Sequence, residues 1–247
     1  MTEPVFYSKN AHVAYITIDC QQINSEILSQ LVEEMKRVCS DIIHDNDVFV
    51  VVLTGKGENF FCGVQEYSGS QPYNSIASKI AGIDRPVIAA INGDALGQGL
   101  ELALACDIRI ASNTVHFGLP QITKGCFPKD GGTQRLPRLI GRGKAMELIL
   151  TGDIISAAEA LEIGLIHKAV PGSDLAAEVK TMAATMSAKG VFSLKYAKEA
   201  VIKGADLTLE QGLRLEADLY MLLHTTADRT EGIQAFRKKI PPNFKGK

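Results

Sequence analysis

Apolar and polar positions along the chain follow two regimes. In the N-terminal part, short apolar runs alternate with amphipathic stretches. His12-Val13-Ala14-Tyr15-Ile16-Thr17-Ile18 is rich in β-branched residues between polar segments, which predicts a strand. Ile27, Leu28, Leu31, Met35, Val38 and Ile42 then recur at three- and four-residue steps, placing one apolar stripe on a helix from about Ser25 to His44. Val48 to Leu53 is apolar at every position, as in a strand covered on both faces, and ends at Gly55 and Gly57. Arg85 to Ile91 repeats that pattern and closes at Asn92-Gly93. Leu100 to Cys106 reads as a short helix, and Asp107 to Ala111 as a further strand. From Ala145 onward strand signals nearly vanish, and Ala145–Leu150, Ala157–Ile163, Leu175–Ser187, Leu194–Lys203 and Leu207–Thr226 read as helices.

The β–α alternation predicts an α/β core rather than a sandwich or a bundle. No low-complexity linker interrupts the chain, and no repeat with a period of about 20–50 residues is visible. The expected organisation is a core over residues 1–190 and a helical C-terminal subdomain over 191–247 that is not an independent domain.

Composition narrows the classes. A chain of 247 residues with 46% hydrophobic and 22% charged residues can bury a core large enough to need neither disulfides nor metals. Lys and Arg number 26 against 28 Asp and Glu, with no long run of like charge, so neither nucleic acid nor an acidic membrane is an expected partner. The longest apolar run, Val48 to Leu53, is far short of the roughly 20 residues of a membrane span. The first thirty residues lack the pattern of a signal peptide, and the cysteines (Cys20, Cys39, Cys62, Cys106, Cys126) are odd in number with no CxxC pair. Free thiols in the cytoplasm are expected, each a small buried apolar residue.

Candidate chemistry lies in two glycine-bearing turns. No phosphate loop, HExxH or GxSxG motif is present, and the five histidines are isolated. Asn59-Phe60-Phe61-Cys62-Gly63-Val64-Gln65-Glu66 follows a buried strand, and Asn92-Gly93-Asp94-Ala95-Leu96-Gly97-Gln98-Gly99-Leu100-Glu101 leads from a strand into a helix. The glycine order of the second departs from the dinucleotide fingerprint GxGxxG, which leaves a dehydrogenase poorly supported. The helix beginning near Leu100 presents N–H groups without intrahelical partners, able to bind an oxyanion; a second N–H from Gly63–Val64 completes a two-donor hole in that reading. Each turn is otherwise only a tight turn. Glu101, in the first turn of an apolar segment, is either a charge partner for the helix N-terminus or an acid/base with a tuned pKa.

Taken together, Arg85 to Ile108, Phe117-Gly118-Leu119-Pro120, Gly131-Gly132-Thr133-Gln134-Arg135-Leu136-Pro137-Arg138, Gly141, Leu150-Thr151-Gly152, Ala157 to Leu165, Val170-Pro171 and Ala235-Phe236-Arg237-Lys238-Lys239 resemble the crotonase superfamily of coenzyme A thioester enzymes, and within it the enoyl-CoA hydratase/isomerase family. The resemblance implies a crotonase-like spiral of ββα units with a helical C-terminal region, assembled as homotrimers or homohexamers. It places backbone oxyanion donors at Val64 and Gln98, with Cys62, Gly63 and Gly97 at the substrate, and the working carboxylate at Glu101. Phe236 and Lys239 fall where the family reaches the nucleotide part of coenzyme A, an alternative to a solvated basic tail at Arg237-Lys238-Lys239, Lys245 and Lys247.

Several positions depart from the family pattern. A second glutamate usually follows F-G-x-P, and here that residue is Gln121, whose amide can orient water or substrate but carries no proton to and fro near neutral pH. Lys129-Asp130 replaces small residues, making Asp130 a candidate replacement acid/base against a salt-bridged or solvated loop pair. Gln98 replaces the middle glycine of a triple-glycine run. Asp19-Cys20-Gln21-Gln22-Ile23-Asn24-Ser25 lacks the usual basic segment, and the Gln65–Ala81 loop, expected to shape the pocket, is polar. The expected activity is addition of water to a 2-enoyl-CoA thioester through a stabilised enolate, with coenzyme A part of the substrate and no metal or separate cofactor. Double-bond isomerisation and hydration of dienoyl or cyclic esters are the alternatives within the family; an acyl-CoA binding protein with weakened catalysis is the alternative of another class.

Overall fold

A computed structural model of the protein describes residues 4–19, 25–61 and 75–247. Strands β1 (Val5–Asn10) and β2 (Val13–Ile18) pair antiparallel as a hairpin, and β2 then runs parallel to β3 (Val50–Gly55). β4 (Val87–Ile91), β6 (Ile108–Ser112) and β9 (Lys168–Val170) continue the parallel array in the order β1-β2-β3-β4-β6-β9. A smaller sheet joins β5 (Ala95–Leu96), β7 (His116–Gly118) and β8 (Ile154–Ser156) in the order β5-β7-β8.

The continuous apolar runs follow from burial on both faces of the large sheet. Val51, Leu53, Val87, Ala89 and Ile91 point into one core with α1 (Ser25–His44), α2 (Ile76–Ala81) and α3 (Gln98–Leu104). The intervening Val50, Val52, Ile88 and Ala90 point into a second core, against Leu175, Val179 and Ala183 of α7 (Leu175–Ser187). Successive side chains alternate across a strand, so a strand with two covered faces must be apolar throughout. α4 (Gly132–Ile140), α5 (Arg142–Thr151) and α6 (Ala157–Glu162) complete the middle of the chain. α8 (Val191–Gly204), α9 (Leu209–Leu223) and α10 (Ala227–Lys238) form its end.

Buried cations tie the elements together. Arg85, fully buried, donates to the carbonyls of Val48 (2.7 Å), Ile43 (3.2 Å) and Asp45 (2.9 Å), where α1 hands over to β3. Lys198 of α8 donates to Asp107 Oδ2 (2.7 Å) and to the Arg85 carbonyl (2.9 Å), anchoring α8 beside the N-terminal ends of β4 and β6. The basic C-terminus is held rather than loose: Asp228 accepts N–H groups from Lys245 (2.8 Å) and Gly246 (2.9 Å), and its own N–H donates to the Lys247 carbonyl (3.0 Å).

Some expectations are corrected. β8 and β9 lie beyond Ala145, where the pattern shows almost only helix; strands of three residues are too short to display alternation. α3 begins at Gln98, two residues ahead of Leu100, because Gly97 turns the backbone into the helix at φ 56°, ψ −118°. β1 carries one buried and five exposed residues and so gives no apolar signal. Residues 76–81, read as part of a polar loop, form α2. Cys39 and Cys106 are buried thiols as expected, and burial pushes both up to about 12, whereas Cys126 is exposed. Cys20 and Cys62 lie outside the described residues.

Candidate active site

The site is assembled by the turn between the two sheets. Leu96 pairs with Gly118 across β5 and β7, and the Gly97 N–H donates to the Gly118 carbonyl at 2.9 Å. This brings the Phe117-Gly118-Leu119-Pro120 stretch alongside the start of α3. At ψ −118° with φ 56°, Gly97 occupies a region closed to residues with a Cβ. The 3-10 turn Pro120–Lys124 carries Gln121 over that glycine, where an added Cβ would lie 3.5 Å from Gln121 Nε2.

Glu101 sits one turn into α3 and is fully buried. Its Oε1 accepts the backbone N–H groups of Asp130 (2.6 Å) and Gly132 (2.9 Å), the latter the first residue of α4, so the positive end of α4 faces the carboxylate. Among the described residues its Oε2 receives only the longer contact from Gln121 Nε2, at 3.4 Å. Burial raises the Glu101 pKa above the ordinary carboxylate value. The Gly132 and Asp130 N–H groups oppose that rise, the Asp130 charge adds to it, and Lys129 lowers it. One oxygen is thus fixed by the backbone and the other is turned toward Gln121. With Nε2 directed at Glu101, Gln121 presents Oε1 as a buried acceptor with no partner among the described residues.

Asp130 is buried, which corrects the reading of it as a solvated loop residue. Its side chain turns to the start of α2: Oδ1 accepts from the Ser75 hydroxyl and Oδ2 from the Ala77 N–H at 3.2 Å. Its carbonyl accepts from Arg135 Nη1 at 2.8 Å. The segment 128–132 therefore serves two clients, Glu101 through backbone N–H groups and α2 through a carboxylate. Neighbouring Lys129 has its amine pKa lowered by burial, against the pull of Glu101, Asp130 and Cys126.

Glu101, Gln121, Asp130, Gly97 and Gln98 are thus brought together by the fold. Val64, Cys62 and Gly63 lie outside the described residues. Phe236, 85% exposed, and Lys239, which caps α10 with φ 55°, lie on the surface at the C-terminal end of that helix. Sequence reasoning missed Ser75, the partner of Asp130, and the role of the Gly132 N–H; the Gly131-Gly132 pair at the head of α4 was the available signal for the second. Among the described residues no group of three or more His, Cys, Asp or Glu side chains is arranged to hold a metal ion.

A family profile for enoyl-CoA hydratase/isomerase matches residues 8–247. The chain is similar to YngF of Bacillus subtilis, which carries the enoyl-CoA hydratase/isomerase name, with 40% identity over 98% of both chains. It is also similar to the short-chain-enoyl-CoA hydratase of Clostridium acetobutylicum, with 36% identity over 95% of each. Among solved structures, an enoyl-CoA hydratase from Bacillus anthracis superposes with a TM-score of 0.89 at 37% identity, covering 99% of this chain and 100% of that one.

Proposed function

This chain belongs to the enoyl-CoA hydratase/isomerase family, and we propose that it is an enoyl-CoA hydratase in which Glu101 is the single carboxylate that moves protons. The observation that carries this reading is the asymmetry of the Glu101 carboxylate, one oxygen saturated by two backbone N–H groups and the other turned toward Gln121. In this reading the Gln98 and Val64 N–H groups hold the thioester oxygen, and Cys62, Gly63 and Gly97 contribute to binding the acyl-CoA substrate. Glu101 Oε2 takes a proton from water, the water oxygen bonds to Cβ, the Cα–Cβ π pair becomes the double bond from Cα to the carbonyl carbon, and the carbonyl π pair moves onto oxygen as an enolate. The enolate collapses as Cα takes the proton from Glu101, which returns to a carboxylate. Water supplies both the hydroxyl and the hydrogen, and both arrive on the face that Glu101 occupies.

Stabilising the enolate by donors set in advance supplies the electrostatic part of the barrier reduction, on the order of 10²–10³-fold per donor. Gln121 supports this scheme as an orienting group. Its Oε1 can accept from the water or from the product hydroxyl, and its Nε2 steadies Glu101. The raised pKa of Glu101 suits a group that must both take and return a proton near neutrality.

Double-bond isomerisation is the second reading, favoured by the glutamine at position 121, since moving a proton between two carbons needs only one shuttling carboxylate. That scheme calls for no second carboxylate, and the Asp130 side chain is held by Ser75 and the Ala77 N–H at the start of α2. Product mass separates the two with a panel of straight-chain, branched, dienoyl and cyclic enoyl-CoA esters, run with wild type and Gln121→Glu side by side. A product heavier by one water is expected. An unchanged mass with a moved double bond establishes the isomerase, and tight binding without turnover establishes the acyl-CoA binding protein. Glu101→Gln is expected to lower kcat by about 10²–10⁴-fold; a loss under tenfold would remove Glu101 from the chemistry.

We further assign the protein to the cytoplasm, supported by the free thiols Cys39, Cys106 and Cys126. No helix among the described residues is long and apolar enough to cross a membrane. A homotrimer or homohexamer, with Phe236 and Lys239 reaching coenzyme A, is supported by large apolar residues exposed on the C-terminal helices.

A further inference from the structure

We propose that Asp130 is a positioning residue for Glu101: its carboxylate pins the turn 128–132 to the start of α2, and the backbone N–H groups of that turn hold Glu101 Oε1 in place. The inference rests on the reading of Glu101 as the carboxylate that moves protons. Both donors to Oε1, the Asp130 N–H (2.6 Å) and the Gly132 N–H (2.9 Å), lie within three consecutive residues, so the turn carries them as a unit. The packing around them is tight. A Cβ at Gly132 would lie 2.9 Å from Pro128 Cβ and 3.1 Å from Glu101 Oε1, and Gly131 bends the chain at φ 100°. Where this turn sits, Oε1 follows, and with it the direction in which Oε2 faces.

The turn is tied in two directions. Its links to α4 are local: the Gly131 carbonyl accepts the N–H groups of Gln134 (3.1 Å) and Arg135 (2.8 Å), and Arg135 Nη1 donates to the Asp130 carbonyl (2.8 Å). They shape the turn without locating it against α3. The Asp130 side chain reaches a different element. Oδ2 accepts the Ala77 N–H (3.2 Å), a first-turn group with no partner inside α2. Oδ1 accepts from the hydroxyl of Ser75, the residue that caps α2 by accepting the Ser78 N–H at 2.8 Å. α2 is itself fixed, because Ile76, Ala77 and Ile80 are buried in the core shared with Leu100 and Leu102 of α3. A closed circuit results, from α3 through Glu101 to the turn, through Asp130 to α2, and through the core back to α3.

A carboxylate buried next to another is unfavourable unless its own oxygens are satisfied, and the Asp130 charge does act on Glu101. Each Asp130 oxygen accepts a hydrogen bond at the start of α2, so the group anchors the turn rather than carrying protons. Loosening the anchor is therefore expected to act on proton transfer and not on binding of the ester. Asp130→Ala removes both acceptors and is expected to lower kcat by about tenfold. Ser75→Ala removes one donor and keeps the Asp130 charge, and is expected to lower kcat by about three- to tenfold. In each variant KM is expected to change by less than about threefold.

The deciding measurement is single-turnover hydration of crotonyl-CoA with enzyme in excess, followed by loss of the conjugated double-bond absorbance. It compares wild type, Ser75→Ala and Asp130→Ala with the same two substitutions made in Glu101→Gln. A residue that acts through Glu101 has nothing left to position once that carboxylate is gone. Both losses are therefore expected to shrink to less than about twofold in the Glu101→Gln background, with cooperative melting retained. Losses equally large in the two backgrounds overturn the proposal and leave the Glu101 reading standing. So do rates within about twofold of wild type for both single variants beside a Glu101→Gln loss of about 10²-fold or more. A Glu101→Gln loss under about tenfold overturns both. Absence of cooperative melting in both Ser75→Ala and Asp130→Ala makes the anchor a folding element, which also overturns the proposal.

Discussion

At Glu101 two opposing effects meet in one side chain. Removal from water favours the neutral acid, while two backbone N–H groups and the start of α4 favour the carboxylate. Burial wins, and the pKa rises. Asp130 contributes to that rise through its charge, although its side chain is occupied at the start of α2. The sign of a test follows. Neutralising Asp130 removes a contribution that raises the Glu101 pKa, so the carboxylate base persists to lower pH. In Asp130→Asn the acid limb of the kcat/KM profile is therefore expected to move to lower pH, with the plateau within about tenfold of wild type. A plateau lost by 10²-fold or more would instead make Asp130 a proton carrier in its own right.

At the scale of elements, the site depends on where α3 starts. Gly97 is the pivot: it ends β5, receives the Gly118 pairing through its N–H, accepts the Glu101 N–H at 3.0 Å and lies under Gln121. A methyl group at this position would face the Gln121 amide at ordinary contact distance, so the obstacle is backbone conformation rather than space. Gly97→Ala is expected to destabilise the fold by about 1–3 kcal/mol, the usual cost of holding a residue with a Cβ in such a region. Relief of that strain would rotate the first turn of α3 and move the Gln98 N–H and Glu101 together. Thermal melting and kcat of the same variant check this, with both expected to fall; unchanged kcat with a lowered Tm would uncouple the helix start from the chemistry.

Across the whole molecule, large apolar side chains remain uncovered on the C-terminal helices: Val201 is 73% exposed, Leu209 80% and Phe236 85%. Single exposed apolar residues are ordinary, but a concentration of them on consecutive elements marks a contact surface. Sedimentation of wild type is expected to show a trimer or hexamer, and Leu209→Asp is expected to shift it toward smaller species. If Phe236 and Lys239 reach coenzyme A only in the assembly, KM for the thioester rises with that dissociation. A wild-type monomer with full activity would sink the assembly reading.

The sequence by itself determined whatever short-range spacing encodes. The bounds of α1 at Ser25–His44 and of α7 at Leu175–Ser187 coincide with the stripes read from the pattern, and the all-apolar runs are strands with two covered faces. The ordered motifs identified the family, because together they span nearly the whole chain in the family's order. Only the tertiary structure decided what depends on chain brought from afar. The partners of the Glu101 carboxylate lie 20 residues away at Gln121, 29 at Asp130 and 31 at Gly132. Periodicity carries no record of such distances. The same holds for the burial of Asp130, whose partner Ser75 lies 55 residues away, and for the exposure of Cys126. A side chain's role was legible where its neighbours in sequence are its neighbours in space, and was decided by packing where they are not.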